Sequence, residues 1–378
     1  MKENEPLSEV RKKLRIQWYR CHIEKKVLRD LSLKSDYKGF IQAGGHLGLF
    51  ICTGILSYYF FEQKLWIAFI IFLFAHGTIG SFFYGLATHE LCHGTVFRSR
   101  KLNKVFLYIL SILSWHNFYE YSYSHTYHHL YTCNPKGDRE VVLGPQFTPN
   151  IGFINLLQLF TFNFFGDRKL RHGCFLLIIG TIKTSLGLYS SDWIQEVYAG
   201  HEEDRKKAVN LSRMILIFHV SIIVFSVFYG LWVLPLLVTF FNFIGNWLVY
   251  FFGVPMHIGL MSNTSDFRKC VRTILLDPIS EFLYWHMNWH TEHHMYAGVP
   301  CYNLKKLHKL VADDMPQPRS LIGAWKEILE IRNKQNEDPQ YQFNTPVPVR
   351  ESTKTEKYSD PLTLSIGDLA PKSLKSDY

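Results

Sequence analysis

The sequence has no paired-cysteine framework. Its seven cysteines, Cys21, Cys52, Cys92, Cys133, Cys174, Cys270 and Cys301, are odd in number, scattered and never spaced as CxxC. That excludes a disulfide scaffold and an iron–sulfur spacing, and points to reduced thiols facing a cytosolic compartment. Residues 1–40 are charged and lack an apolar signal core, so no cleaved leader is expected and a first span must act as the targeting element. No glycine-rich dinucleotide fingerprint occurs. The formal net charge is +9, but the lysines and arginines sit beside apolar blocks rather than along a stripe, and no nucleic-acid partner is expected.

What the sequence has in quantity is clumped apolar residues, with 30 phenylalanines and 21 tyrosines suited to membrane spans and their interfacial belts. Residues 46–61 and 65–87 are apolar blocks separated only by Glu62-Gln63-Lys64, which predicts a tight transmembrane hairpin. Residues 105–115 are half a span long and predict a short interfacial or re-entrant helix. Residues 134–150 read as a loop, from Pro135, Gly137, Gly144, Pro145 and Pro149. Residues 151–165 and 174–189 predict interfacial helices, and the charged stretch 192–213 is expected to be cytosolic. Residues 214–252 are long enough for two crossings turning near Gly230 and Pro235, which makes a second hairpin. Helices are expected over 304–311 and 320–332.

Three domains follow: a cytosolic segment over 1–40, either amphipathic on the membrane surface or a solvated basic tail; a membrane domain with its cap over 41–334; and a disordered tail over 335–378. The basic runs Arg98-Ser99-Arg100-Lys101 and Arg205-Lys206-Lys207 mark the cytosolic side, where both termini and the catalytic face are expected. The hexapeptide SLKSDY at 32–37 recurs at 373–378; two copies do not establish a repeat architecture.

The stretch 285–294, WHMNWHTEHH, is the richest in chemistry. On a helix His286, His290, His293 and His294 fall at i, i+4, i+7 and i+8, one stripe of imidazoles. Shorter echoes occur at His89-Glu90-Leu91-Cys92-His93 and at His125-Thr126-Tyr127-His128-His129. A lone HExxH fits a zinc protease, with glutamate as general base. Six further histidines in two HxxHH clusters on the same face exceed what a zincin needs and imply two metal ions. Imidazole suits iron, zinc and copper alike, so ligand type leaves the metal open.

HELCH, HTYHH and HTEHH at these distances resemble the three histidine boxes of the membrane fatty acid desaturase and hydroxylase superfamily, over roughly residues 46–311. The resemblance implies an all-helical integral membrane fold: four transmembrane helices in two hairpins, beneath a cytosolic helical cap that holds two non-haem irons. By resemblance the metal ligands are His89, His93, His125, His128, His129, His290, His293 and His294. His257, after Pro255-Met256, resembles the additional histidine that the family often places after the last span. Two departures from the acyl-CoA desaturase pattern, a first box with three intervening residues and Gly253 where that branch has asparagine, leave the substrate open.

The implied activity is O2-dependent removal of hydrogen from an unactivated C–H bond of a fatty acyl or lipid-like chain taken from the bilayer. A second abstraction gives a double bond; return of oxygen gives an alcohol. A hydroxylase is therefore the nearer alternative, with the zinc protease and a non-catalytic receptor on the same fold more distant. Electrons must come from an external donor such as a cytochrome b5 or ferredoxin, since no HPGG haem motif is fused to the chain. The expected location is the endoplasmic reticulum in a eukaryote or the inner membrane in a bacterium.

Glu90, Glu292 and Asp138 are candidates for orienting the ligand imidazoles. His116 and His286 are weighed as further supporting groups. His46, His76 and His219, in apolar blocks, read as neutral imidazoles bonded to a neighbouring helix. His22, His172, His201 and His308 read as surface residues. Asn242 and Asn246 are expected to bond across helices, with the substrate route as the alternative for Asn246.

Overall fold

The computed structural model describes residues 5–140, 152–167 and 171–348. Residues 141–151 with most of the expected loop, the side chain of His172, residues 349–378 of the expected tail and the second SLKSDY copy lie outside the described residues.

Among the described residues three helices are long and apolar enough to cross a membrane: α1 (Asp36–Glu62), α2 (Trp66–His93) and α6 (Glu202–Tyr229). Between them lie α3 (Arg100–Leu113), α4 (Phe118–Tyr131) and α5 (Cys174–Ser185); α7 (Trp247–Gly253), α8 (His290–Met295), α9 (Leu304–Val311) and α10 (Leu321–Glu337) follow. α1 and α2 pack as the expected hairpin, turning at Lys64, whose φ is 58°. Their outer faces leave Ile55, Ile67 and Ile71 exposed, as α6 leaves Ile217 and Phe228, a surface suited to hydrocarbon rather than water.

The histidines in the apolar stretches of these helices point inward and are matched. His46 Nε2 donates to the Ile79 carbonyl (3.0 Å) while its Nδ1 accepts from the Trp285 indole (2.8 Å). His76 Nε2 donates to Leu237 (2.8 Å) and His219 Nε2 to Ile112 (2.9 Å). These are the helix-to-helix imidazole bonds expected from the sequence.

The apolar block 214–252 does not form two uninterrupted helices. α6 ends at Gly230, whose φ of 69° closes it, and the return is broken into Leu234–Val238, the 3-10 turn Phe241–Phe243 and α7. Non-helical backbone at this depth must be satisfied by its neighbours. Thr78 Oγ1 donates to Gly245 O (3.0 Å), the Trp115 indole to Thr239 O (2.8 Å) and Asn163 N to Phe243 O (2.7 Å). Gly77 and Gly80 of α2 form the notch that receives the broken segment. A Cβ on Gly77 would lie 2.5 Å from Ile244 O, and one on Gly80 2.3 Å from the Phe241 ring. Asn242 Nδ2 donates to Ser114 O (3.1 Å) and Asn246 accepts from Asn163 Nδ2 (3.1 Å), so both asparagines do bond across elements.

The helices at the histidine end are tied by polar contacts. Asn117 caps α4 and donates to Ala208 O (2.8 Å) and Ser212 Oγ (2.9 Å) of α6, and Tyr123 of α4 donates to Asp204 (2.5 Å). Residues 335–343 fall within the tail expected to be disordered, but they pack on the rest of the chain. Residues 335–337 complete α10, and Phe343 N donates to Gly259 O (2.8 Å) beside the backbone bridge from Leu260 to Phe343.

Candidate metal centre

Each histidine box sits at a helix end whose geometry the local sequence explains. α2 runs through the first box, so His89 and His93 lie one turn apart on the same face, and Gly94 in the left-handed region (φ 69°) stops the helix. The second box occupies the last two turns of α4. Beyond it Cys133 takes a φ of 57°, and its N–H donates to Asp138 Oδ2 (2.8 Å), folding the chain back so that this carboxylate also meets His128 Nδ1 at 2.8 Å.

The third box is α8, and here the expectation of one continuous helix fails. Trp285 and His286 have φ of 54° and 57°, so the helix starts only at His290. His286 leaves the stripe and bonds Glu281 Oε1 at 3.1 Å; it stands apart from the imidazole cluster.

His290, His293 and His294 do meet the other boxes. His89, His93, His125, His129 and His293 form one group, and His128, His257, His290 and His294 a second; within each group the nearest ligand atoms all lie within 4.8 Å of one another. Each group draws on several boxes. The groups adjoin: ring centroids are 4.5 Å apart between His129 and His294, and 5.3 Å between His125 and His128.

The donor set fits metal ions. His125 gives its Nδ1–H to Glu140 (2.9 Å), His128 to Asp138 (2.8 Å) and His257 to the Cys270 carbonyl (3.0 Å), which leaves the Nε2 of each ring, in its neutral form, as a lone pair. Those lone pairs face other ring nitrogens: His125 and His129 Nε2 are 2.9 Å apart, and His257 and His290 Nε2 3.0 Å. His290 Nε2 also faces His294 Nε2 at 3.3 Å, while His290 Nδ1 and His89 Nε2 are buried without a hydrogen-bond partner. A proton between two rings relieves one such pair; a cation at the centre of each group relieves all of them.

Burial holds His125, His129, His290, His293 and His294 well below the ordinary imidazole pKa, and His257 at about 3. All six are therefore neutral, the form that ligates. Burial pushes His128 the same way, but the Asp138 carboxylate outweighs it and raises the ring to about 9. Burial also raises Glu140 to about 7, opposed by His128.

The three carboxylate candidates fare differently. Asp138 bonds His128 as expected. Glu90 Oε1 lies 3.0 Å from His89 Nδ1 and 3.6 Å from His293 Nδ1, buried between two groups of ring atoms. Glu292 reaches no histidine of the cluster: it accepts from Thr273 Oγ1 (2.6 Å) and contacts His308 Nδ1 (2.5 Å), so His308 is an anchored residue rather than a loose surface one. Glu140 and Arg272 escaped the sequence reading. Arg272 is 1% exposed; its Nη1 donates to Pro255 O (2.8 Å) and Ile258 O (2.6 Å) across the turn that carries His257, and its Nε to Glu327 of α10 (2.6 Å). No lysine or arginine lies close to Pro255 in the sequence, and spacing cannot show which carbonyls Arg272 meets.

No individually curated protein matches the chain. A family of sequences described as fatty acid desaturase does match, over residues 64–324, a span that contains all nine clustered histidines and the helices that carry them. The match covers well over half of the sequence, and the chain belongs to the fatty acid desaturase family.

Proposed function

We propose that this protein is a membrane di-iron oxidoreductase that introduces a double bond into a fatty acyl or lipid-like chain, using O2 and electrons from an external carrier. The observation that carries the reading is the pair of adjoining, buried, all-imidazole groups. His89, His93, His125, His129 and His293 would hold one iron, and His128, His257, His290 and His294 the other. The chemistry that two irons supply in such a site is oxidation of an unactivated C–H bond.

The chain's own residues provide placement and enclosure. Asp138, Glu140 and the Cys270 carbonyl fix three Nδ1–H groups, so the ring planes are set before any metal binds. His89, His93, His125, His128, His257, His293 and His294 are each 6% exposed or less, which keeps bulk water from a strong oxidant. The same geometry disfavours a zinc protease: Glu90 is fully buried and lies against His89 and His293, where a general base needs a water and a scissile bond in front of it.

In this reading α1, α2, α6 and the broken return 231–253 make four crossings. Arg98, Arg100 and Lys101 follow the histidine-side end of α2, and Lys206 and Lys207 lie at that of α6, a charge bias that supports a cytosolic side for the metal centre and both termini. The membrane is the endoplasmic reticulum in a eukaryote and the inner membrane in a bacterium. A basic face there suits an acidic carrier such as a cytochrome b5 or ferredoxin.

The test is mass spectrometry of lipids from a host expressing the wild-type chain or His293→Ala. Wild type gives an unsaturated product without added oxygen, and the variant gives none. An alcohol instead assigns the hydroxylase, the reading allowed by the short first box. Identical lipid profiles from both proteins contradict the proposal.

A further inference from the structure

α2 is interrupted one turn before the first histidine box. Tyr84 has a ψ of 118° and Gly85 a φ of 80°, so two residues within a candidate span leave the helical region. Irregular backbone at this depth is tolerated where it is buried in protein or lines a cavity. A Cβ built on Gly85 would meet nothing within 4 Å, so the break borders open space.

His116 faces the break. It is 5% exposed, and its Nδ1 is held at 2.6 Å by Thr88 Oγ1, which also accepts the Gly85 N–H (3.2 Å). Its ring lies 4.5 Å from that of Tyr84 and 4.9 Å from that of Tyr121, and Tyr121 stacks at 4.9 Å on His125 of the metal centre. Among the described residues neither His116 Nε2 nor the Tyr121 hydroxyl has a hydrogen-bond partner. By contrast His46, His76 and His219, in the apolar helices outside the metal centre, each bond a backbone carbonyl. Burial lowers His116 to about 3, so the ring is neutral and its free nitrogen can give or take a hydrogen bond according to tautomer.

A purely hydrocarbon chain passing these groups would leave both unpaired, and a native interior avoids that. We propose that His116, held by Thr88 at the break in α2 and joined by Tyr121, is the hydrogen-bonding contact for a hydroxyl that the lipid substrate carries close to the carbons attacked. The inference rests on the lipid-oxidising reading above and narrows its substrate class. A site built to bond a hydroxyl discriminates strongly against the analogue that lacks it. One ring separates the contact from the metal centre, so it would also fix which carbons are presented.

The test is equilibrium binding, independent of turnover, of the full-length protein in lipid nanodiscs. The probes are radiolabelled octadecanoate and a series of monohydroxyoctadecanoates that moves the hydroxyl along the chain. Wild type binds one isomer, or a few adjacent ones, about tenfold more tightly than octadecanoate. His116→Leu abolishes the preference while octadecanoate binding stays within about twofold; His116→Gln retains part of it. Thr88→Val, which frees the ring without removing it, also blunts the preference and serves if His116→Leu does not fold. Equal or weaker binding of every hydroxylated isomer by wild type, absence of binding included, overturns the proposal, as does a preference that survives His116→Leu. If the lipid product test fails while this preference is found, the contact stands and the oxidative reading falls.

Discussion

At the scale of single residues, what separates the useful carboxylates from the others is which way the chain turns after each box. Asp138 and Glu140 come back onto α4 because the turn at Cys133 is closed by a hydrogen bond to Asp138 itself. Glu292 sits inside the third box yet points away from the stripe that carries His290, His293 and His294, toward Thr273 and His308. Removing the partner of a ligand histidine costs about 10–100-fold in metal affinity. Asp138→Asn is therefore expected to lose metal on dialysis against a chelator at concentrations that leave wild type loaded, whereas Glu292→Gln keeps its metal. Equal retention by both variants would show that the Nδ1 contacts do not matter.

The histidines were legible because their spacings repeat, whereas the partners were not, because nothing local ties residue 140 to residue 125. His286 was misread for the opposite reason: periodicity alone extends a helix through residues whose backbone is left-handed.

At the scale of elements, the hairpin of α1 and α2 followed from two apolar blocks and a three-residue connector, and the structure has it. The return of the chain after Gly230 was legible as a length of apolar sequence but not as a broken one. Its breaks depend on partners far away in sequence: the glycine notch of α2, and donors at Thr78, Trp115 and Asn163. Overpacking a tight contact costs about 1–3 kcal/mol. Gly77→Ala, facing Ile244, is expected to lower the thermal inactivation temperature in detergent. Gly48→Ala, whose added methyl meets nothing within 4 Å, leaves it unchanged or raises it, since alanine stabilises a helix interior by roughly 0.5–1 kcal/mol over glycine. Equal temperatures for the two variants would mean that the notch is not under contact.

At the scale of the molecule, elements distant in sequence are locked around one centre. His257 belongs to the turn after α7, yet its position is set by Arg272 and, through Glu327, by α10 near the end of the described chain. A lysine cannot reproduce the forked set of bonds that the guanidinium makes. Arg272→Lys is expected to remain membrane-inserted and to lose metal first from the group containing His257, giving a content that falls toward half of wild type. Uniform loss from both groups would show that the turn is held by other means. The tail from residue 335 was expected to be disordered on composition, but residues up to 343 reach back onto Gly259, a contact made by backbone and so invisible to a compositional reading.

The proposed function requires two metal ions shared among nine imidazoles, and its most direct measurement is elemental analysis of the purified full-length protein beside single-group variants. Wild type is predicted to carry about two irons per chain, and His290→Ala and His93→Ala each to retain about one, from opposite groups. A single zinc in wild type, or an iron content unchanged in both variants, would contradict it.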